Sequence, residues 1–383
     1  MTMDWTNAEP APEPTPTRLP NSNTIDEDDQ AAQRAAEVKQ KIALIQDRLS
    51  HGYDFTKDPP PRPMLLNYIA PGVDEAFAQP FLPQGKVGMF VAPGGTGKTQ
   101  ALSQLAVSVA TGLPWFDCFH IASIPGQSAS KGRVLLALGE EDEDEIKRRV
   151  NPYIQSLLAK SKDKNQFQAD LRSNLKPLAL DGAGPRMLGA KPDYTEEVFF
   201  SALYELLKQS EEPWRLIILD PASRFMGPDC ETDNNAATRF IELVERLTKL
   251  PGSPTVLLAH HTRKGGGNDS GNSDKDAARG SSALTDGARW VAQLKYEIEK
   301  IGNGKDATYN RTGNILLDLN KSNYTRLLNG SIRLSFNEDG RLNRIDNNEK
   351  KQSNSGNKPK SNSGNKPKPR TTETDENFDN LFP

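Results

Sequence analysis

KVGMFVAPGGTGKT, Lys86 to Thr99, decides the fold. Its first half, Lys86 to Ala92, is a near-continuous apolar run of the kind found where both faces of a parallel sheet are covered. Its second half, APGGTGKT, leads from that strand into a helix expected at Lys98 to Thr111. A strand that ends in a glycine-rich turn and opens a helix presents successive backbone N–H groups to an anion. Pro93, Gly94, Gly95, Thr96 and Gly97 are the expected cradle, Lys98 reaches the β and γ oxygens of ATP, and Thr99 holds Mg2+. Ala92 stands where the usual pattern has its first glycine, a small departure at the strand end. The bland alternative is a glycine-rich turn carrying a solvated lysine. The order of strand, loop and helix favours the cradle.

Working outward, GRVLLAL (Gly132 to Leu138), WRLIILD (Trp214 to Asp220) and PTVLLAH (Pro254 to His260) repeat the apolar-strand pattern. Helices are expected between them at Asp142 to Leu158, Thr195 to Gln209 and Asn234 to Leu247. Strands alternating with helices predict an α/β fold with a mostly parallel central sheet. NILLDLNKSNY (Asn314 to Tyr324) and SIRLSF (Ser331 to Phe336) read as a closing hairpin with Asn329-Gly330 in its turn.

The strand ends supply the rest of a phosphate site. Asp220 closes an apolar strand at the edge where parallel sheets bind ligands, and is the expected carboxylate partner of Thr99 at magnesium, although a helix-capping aspartate would look the same. Glu140 and Glu141 follow GRVLLAL at the same edge. Either could orient water, and the run GEEDEDEIKRR is also a good acidic helix start. His260 and His261 end the PTVLLAH strand, where contact with a γ-phosphate competes with an ordinary structural role. Beyond them TRKGGGNDSGNSDKDAARGSS carries Arg263, Lys264, Lys275 and Arg279 among glycines, either a contact for the phosphodiester backbone or solvated slack.

The chain has 383 residues, of which only 35% are hydrophobic and 26% charged. The polar excess clusters at the ends. EPAPEPTPTRLPN, Glu9 to Asn21, reads as a linker or tail, followed by a helix from about 25 to 49 with a narrow stripe of Val38, Ile42, Ile45 and Leu49. Such a helix is marginal alone and is expected to dock on the main body or on a neighbouring subunit. PPPRP, Pro59 to Pro63, closes this arm. At the other end SNSGNKPK occurs twice, at 353–360 and 361–368, before the acidic TTETDENFDNLFP. Neither segment can bury a core. The expected domains are therefore an arm at 1–63, an ATPase domain at 64–348 and a basic-then-acidic tail at 349–383.

Several function classes drop out. No apolar run approaches the roughly 20 residues of a membrane span, and the N-terminus lacks a secretory pattern, so a cytoplasmic location without a membrane partner is expected. Two cysteines, Cys118 and Cys230, without a partner pattern support neither a disulfide framework nor a zinc cluster. A net charge of -3 confines nucleic-acid binding to local basic patches.

In series, APGGTGKT, LALGEED, LIILDPASRF, LLAHHTRKGG, ARGSSALTDGARW and NKSNY resemble the RecA-like ATPases of the DnaB class, and most closely the plasmid RepA replicative helicases. The resemblance implies a RecA-like P-loop ATPase core and a hexameric ring acting on single-stranded DNA. It implies Glu140 as the catalytic carboxylate, His260 with His261 beside it as the γ-phosphate sensor, Arg289 as an arginine finger reaching a neighbour's ATP, and Lys321 as an assisting cation. Read locally, Arg289 could equally be a surface residue. The tails lie outside the resemblance, and the acidic end is expected to recruit a replication protein. The alternative function is a nucleotide-gated regulatory or recombination protein that binds DNA without unwinding it.

Overall fold

The computed structural model describes residues 23–52, 54–124, 130–261, 282–302 and 308–346. The chain divides into two compact units, Met1–Pro61 and Arg62–Pro383. In the first, helix α1 (Asn23–Ser50) is longer than the sequence suggests, and its Val38, Ile42, Ile45 and Leu49 are exposed.

The second unit opens with β1 (Met64–Tyr68) and β2 (Gln79–Pro83), then β3 (Val87–Ala92), α2 (Lys98–Thr111), β4 (Phe119–Ile121) and β5 (Arg133–Leu138). Two helices follow, α3 (Glu143–Lys160) and α4 (Lys164–Asn174), then β6 (Leu175–Ala179), α5 (Val198–Lys208), β7 (Trp214–Asp220), α6 (Ala222–Phe225), α7 (Asn234–Leu247) and β8 (Thr255–His261). After α8 (Ser282–Gly287) come β9 (Trp290–Ile301), β10 (Thr308–Ser322), β11 (Ile332–Phe336) and β12 (Leu342–Arg344).

Among the described residues, nine strands form one sheet in the order β12-β11-β10-β9-β3-β8-β7-β5-β6. From β9 to β6 every neighbour is parallel, and β9 to β12 pair antiparallel. This is the mostly parallel α/β sheet that the strand and helix pattern predicts. The expected closing hairpin is β10 and β11, joined through Gly330 at φ +95°.

Continuous apolar strands arise because each strand feeds two cores. Phe90, Leu136, Leu138, Leu216 and Ile218 pack on one face with α2, α3 and α4. Their alternates Met89, Val91, Leu135, Ile217 and Leu219 pack on the other with α5 and α7. Helix ends obey local chemistry: Asp142 accepts from Glu145 N to cap α3, and Asp233 accepts from Asn235 N and Ala236 N to cap α7.

The structure corrects the outline in three places. A small sheet, β2-β1-β4, flanks the main one, and its strands are too short for the apolar-run criterion to find. The α4–β6 pair adds a further strand beside β5. Helix α5 starts at Val198 and not at Thr195, because Leu188 and Glu196 first form an isolated bridge.

Candidate functional site

All parallel strands point their carboxyl ends to one edge, and there Lys98, Thr99, Glu140, Asp220, His260 and His261 assemble. The turn from β3 to α2 places Gly95 at φ +79° and Gly97 at φ +83°, a left-handed backbone that glycine adopts without strain. Gly97 is the N-cap of α2 and no side chain caps that end, so the first-turn N–H groups are left open toward the cradle. Thr96 is fully buried, and its hydroxyl donates to Pro93 O at 2.8 Å, which ties the turn across its base. Thr99 lies one residue into the helix and is partly buried.

Lys98 and Asp220 meet across the sheet edge, Nζ to Oδ1 at 3.3 Å, with side chains 4% and 3% exposed. Among the described residues Lys98 Nζ and Asp220 Oδ2 have no hydrogen-bond partner. Buried polar groups are almost always satisfied, so this pair fits a site whose remaining partners come from outside the chain. A phosphate would complete the lysine, and a hydrated magnesium would complete the aspartate, with Thr99 as its second holder. The ion would neutralise charge developing on the phosphates.

Asp220 does not cap the short helix after β7, a position taken by Pro221. Glu140 and Glu141 part company just beyond β5. Glu141 turns toward α3 and pairs with Arg149 at 2.6 Å, which also meets Glu145 at 3.2 Å. Gln100 of α2 donates to Arg149 O at 3.1 Å, so Glu141 belongs to the brace between α2 and α3. Its partial burial raises its pKa against the pull of Arg149. Glu140 stays at the open edge, with Arg224 Nε 2.8 Å from Oε1.

On β8, His260 pairs in register with Val91 and His261 with Ala92, beside the cradle. His260 is buried and His261 sits at the exposed rim. Partial desolvation pushes the His261 imidazole below its ordinary range, with the nearby Lys98 charge adding to it and Asp220 and Glu140 opposing it. It is the neutral ring that is favoured.

Arg289 and Lys321 are not at this edge. Arg289 immediately precedes β9, donates from its backbone to Val87 O at 2.9 Å, and so stands at the amino edge of the sheet. Its side chain is exposed. Lys321 lies on β10 opposite Val291, near the same edge, and its Nζ donates to Thr285 O at 2.9 Å and Asp286 O at 3.0 Å. These are carbonyls of α8, so Lys321 already has a structural task, and burial lowers its pKa. A cavity of about 150 Å³ beside Arg289 is lined by Lys86, Glu245, Lys249 and Tyr324. Arg263, Lys264, Lys275 and Arg279 lie outside the described residues.

Three supports escaped the sequence reading because each comes from a distant strand. Tyr296 of β9 donates to Gly94 O at 3.2 Å, and Arg311 stacks 3.9 Å from its ring centre. A Cβ on Gly97 would lie 2.5 Å from Phe336 Cζ, so the glycine is needed for close approach as well as for φ. Gln104 of α2 donates to Leu342 O at 2.9 Å and accepts from Leu342 N at 3.0 Å. Arg224, by contrast, lies inside LIILDPASRF, and Arg149 inside GEEDEDEIKRR.

No helix among the described residues is long and apolar enough to cross a membrane. A protein-family model described as an AAA domain matches residues 70–267, more than half of the chain. A solved ATPase domain of another protein aligns at 12% identity with a TM-score of 0.44, covering 69% of this chain and 86% of that one.

Proposed function

The chain belongs to the AAA domain family, and from that membership we propose that this P-loop ATPase is an ATP-driven translocase or helicase on single-stranded DNA, working as a hexameric ring in the replication of a plasmid, phage or other mobile element. The observation that carries the assembly is the separation of its charged groups: Lys98 and Asp220 occupy the carboxyl edge, whereas Arg289 stands at the amino edge beside Val87, N-terminal to the cradle. A guanidinium at that distance along the strands is useless to its own subunit's phosphates. Placed against a neighbour's carboxyl edge it would complete that site, as a finger acting in trans.

In this reading the cradle from Pro93 to Gly97 holds the phosphates of ATP, Lys98 neutralises them, and Thr99 and Asp220 hold Mg2+. Glu140 accepts a proton from the attacking water, because Glu141 is committed to Arg149. His260 and His261 sense the γ-phosphate from the neighbouring strand, and Lys321 steadies the α8 carbonyls just before Arg289. Arg263, Lys264, Lys275 and Arg279 contact the DNA backbone, where each cation neutralised against phosphate makes binding more sensitive to salt. The ATPase domain is 64–348. The arm at 1–63 and the tail at 349–383 mediate contacts, the acidic tail with a replication protein.

A strand-displacement assay with purified protein, ATP and a forked DNA substrate tests the motor. ATP-dependent release of the strand is expected. Hydrolysis stimulated by DNA with no strand release would favour the regulatory or recombination alternative.

A further inference from the structure

We propose that Arg224 is a positioning residue that holds the Glu140 carboxylate in a resting position, and that this ion pair must open before Glu140 can accept a proton from water. The inference deepens the ATPase reading above and rests on it. Three features of the carboxyl edge converge. The Arg224 Nε to Glu140 Oε1 distance is 2.8 Å, a charge-assisted hydrogen bond on the one acidic side chain of the Glu140-Glu141 pair that α3 does not engage.

The backbone is shaped to admit the arginine. A Cβ at Gly139 would lie 2.8 Å from Arg224 Cβ and 3.0 Å from its Cγ, so the side-chain stem lies directly on the residue before Glu140. Gly139 N donates to Asp220 O at 2.8 Å, which fixes this surface to the end of β7. Arg224 itself is set by Pro221 O, which accepts from Arg224 N at 3.0 Å, and by Met187 N donating to Phe225 O at 2.6 Å. The guanidinium is thus anchored to the same strand that presents Asp220.

The strength of the pair suits a restraint that opens in every cycle. Arg224 and Glu140 are 56% and 44% exposed, and half-exposed ion pairs are weak. A carboxylate bonded to a guanidinium offers that oxygen's lone pairs to the arginine and not to water. Releasing it makes the base available without moving any backbone atom.

The test compares steady-state ATP hydrolysis, without DNA, in wild type, Arg224→Gln, Arg224→Lys and Gly139→Ala, with ATP binding and melting measured on each. Arg224→Gln is expected to raise kcat about two- to fivefold, the factor a weak exposed pair can supply, with KM unchanged. Arg224→Lys should fall between it and wild type, since a point charge keeps part of the contact. Gly139→Ala, which displaces the arginine stem, should move kcat in the same direction as Arg224→Gln. Glu140→Gln combined with Arg224→Gln should be as slow as Glu140→Gln alone. A folded, ATP-binding Arg224→Gln with kcat at or below wild type overturns the restraint, as does equal acceleration by lysine and glutamine. Failure of the wild type to hydrolyse ATP would instead overturn the ATPase reading on which the restraint stands.

Discussion

The two edges of the central sheet use charge in opposite ways. At the carboxyl edge Lys98 and Asp220 are buried, 3.3 Å apart, and short of partners among the described residues. At the amino edge Arg289 is exposed and held through its backbone, beside a cavity lined by Lys86 and Lys249. Burial makes the first edge expensive to leave empty, because ions taken out of water need compensation. Exposure leaves the second edge inexpensive when idle and strong only when another surface removes the water around it. In the proposed function, the first edge receives a ligand and the second is delivered to one.

The largest effect that can break this contrast comes from Lys98. Lys98→Ala removes the buried charge facing the phosphates and is expected to abolish ATP binding and turnover, measured by equilibrium binding of a fluorescent nucleotide and by phosphate release. Retained hydrolysis in that variant would sink the phosphate cradle.

Arg289→Ala should bind ATP and assemble as wild type does, yet hydrolyse on the order of 10³-fold more slowly, the scale of an arginine finger. Mixing it with Lys98→Ala sharpens the comparison. An intact Arg289 from one subunit then faces an intact Lys98 in the other, and part of the activity should return. No recovery despite verified subunit exchange would mean that the amino edge does not complete a neighbour's site.

Lys321→Gln probes what supports the amino edge. Two hydrogen bonds to the α8 carbonyls are lost, each worth about 1 kcal/mol, so melting should fall by a few degrees with ATP binding intact. An unchanged melting point would detach Lys321 from its structural task.

The smallest effect is a pH slope. His261 titrates below its ordinary value in the folded chain, so between that lowered pKa and about 6.5 the unfolded chain binds more protons and stability rises with pH. Its stabilising contribution is present above this window and is lost as pH falls through it. His261→Asn should flatten that segment of the stability curve, measured by denaturant titration from pH 5 to 7. An unaltered slope would assign the titration to another group.

How much of this was legible depends on distance along the chain. The strand, cradle and helix from Val87 to Thr111 follow from local apolar runs and glycine spacing, and so does Asp220 at the end of WRLIILD. The choice between Glu140 and Glu141 was not local, since it turns on Arg149 of α3 and Arg224 of α6 reaching opposite sides of the pair. Tyr296 and Phe336 were invisible as supports because an aromatic on a strand signals only burial. Which loop it will touch depends on sheet order. The small sheet hid in strands of three to five residues whose pattern resembles that of any loop with a few apolar positions.

The bond between Gln104 and Leu342 has a consequence for how the molecule is made. The side-chain amide imitates a strand backbone, giving and taking one hydrogen bond with a residue 238 positions later. During synthesis the cradle and its helix emerge early, while the strands that press on Gly97 and hold Gln104 leave the ribosome last. Closing so long a loop delays the contact. A nascent chain therefore carries the whole glycine-rich motif well before the strands that pack against it exist, and the turn gains its last supports only when β11 and β12 have been produced.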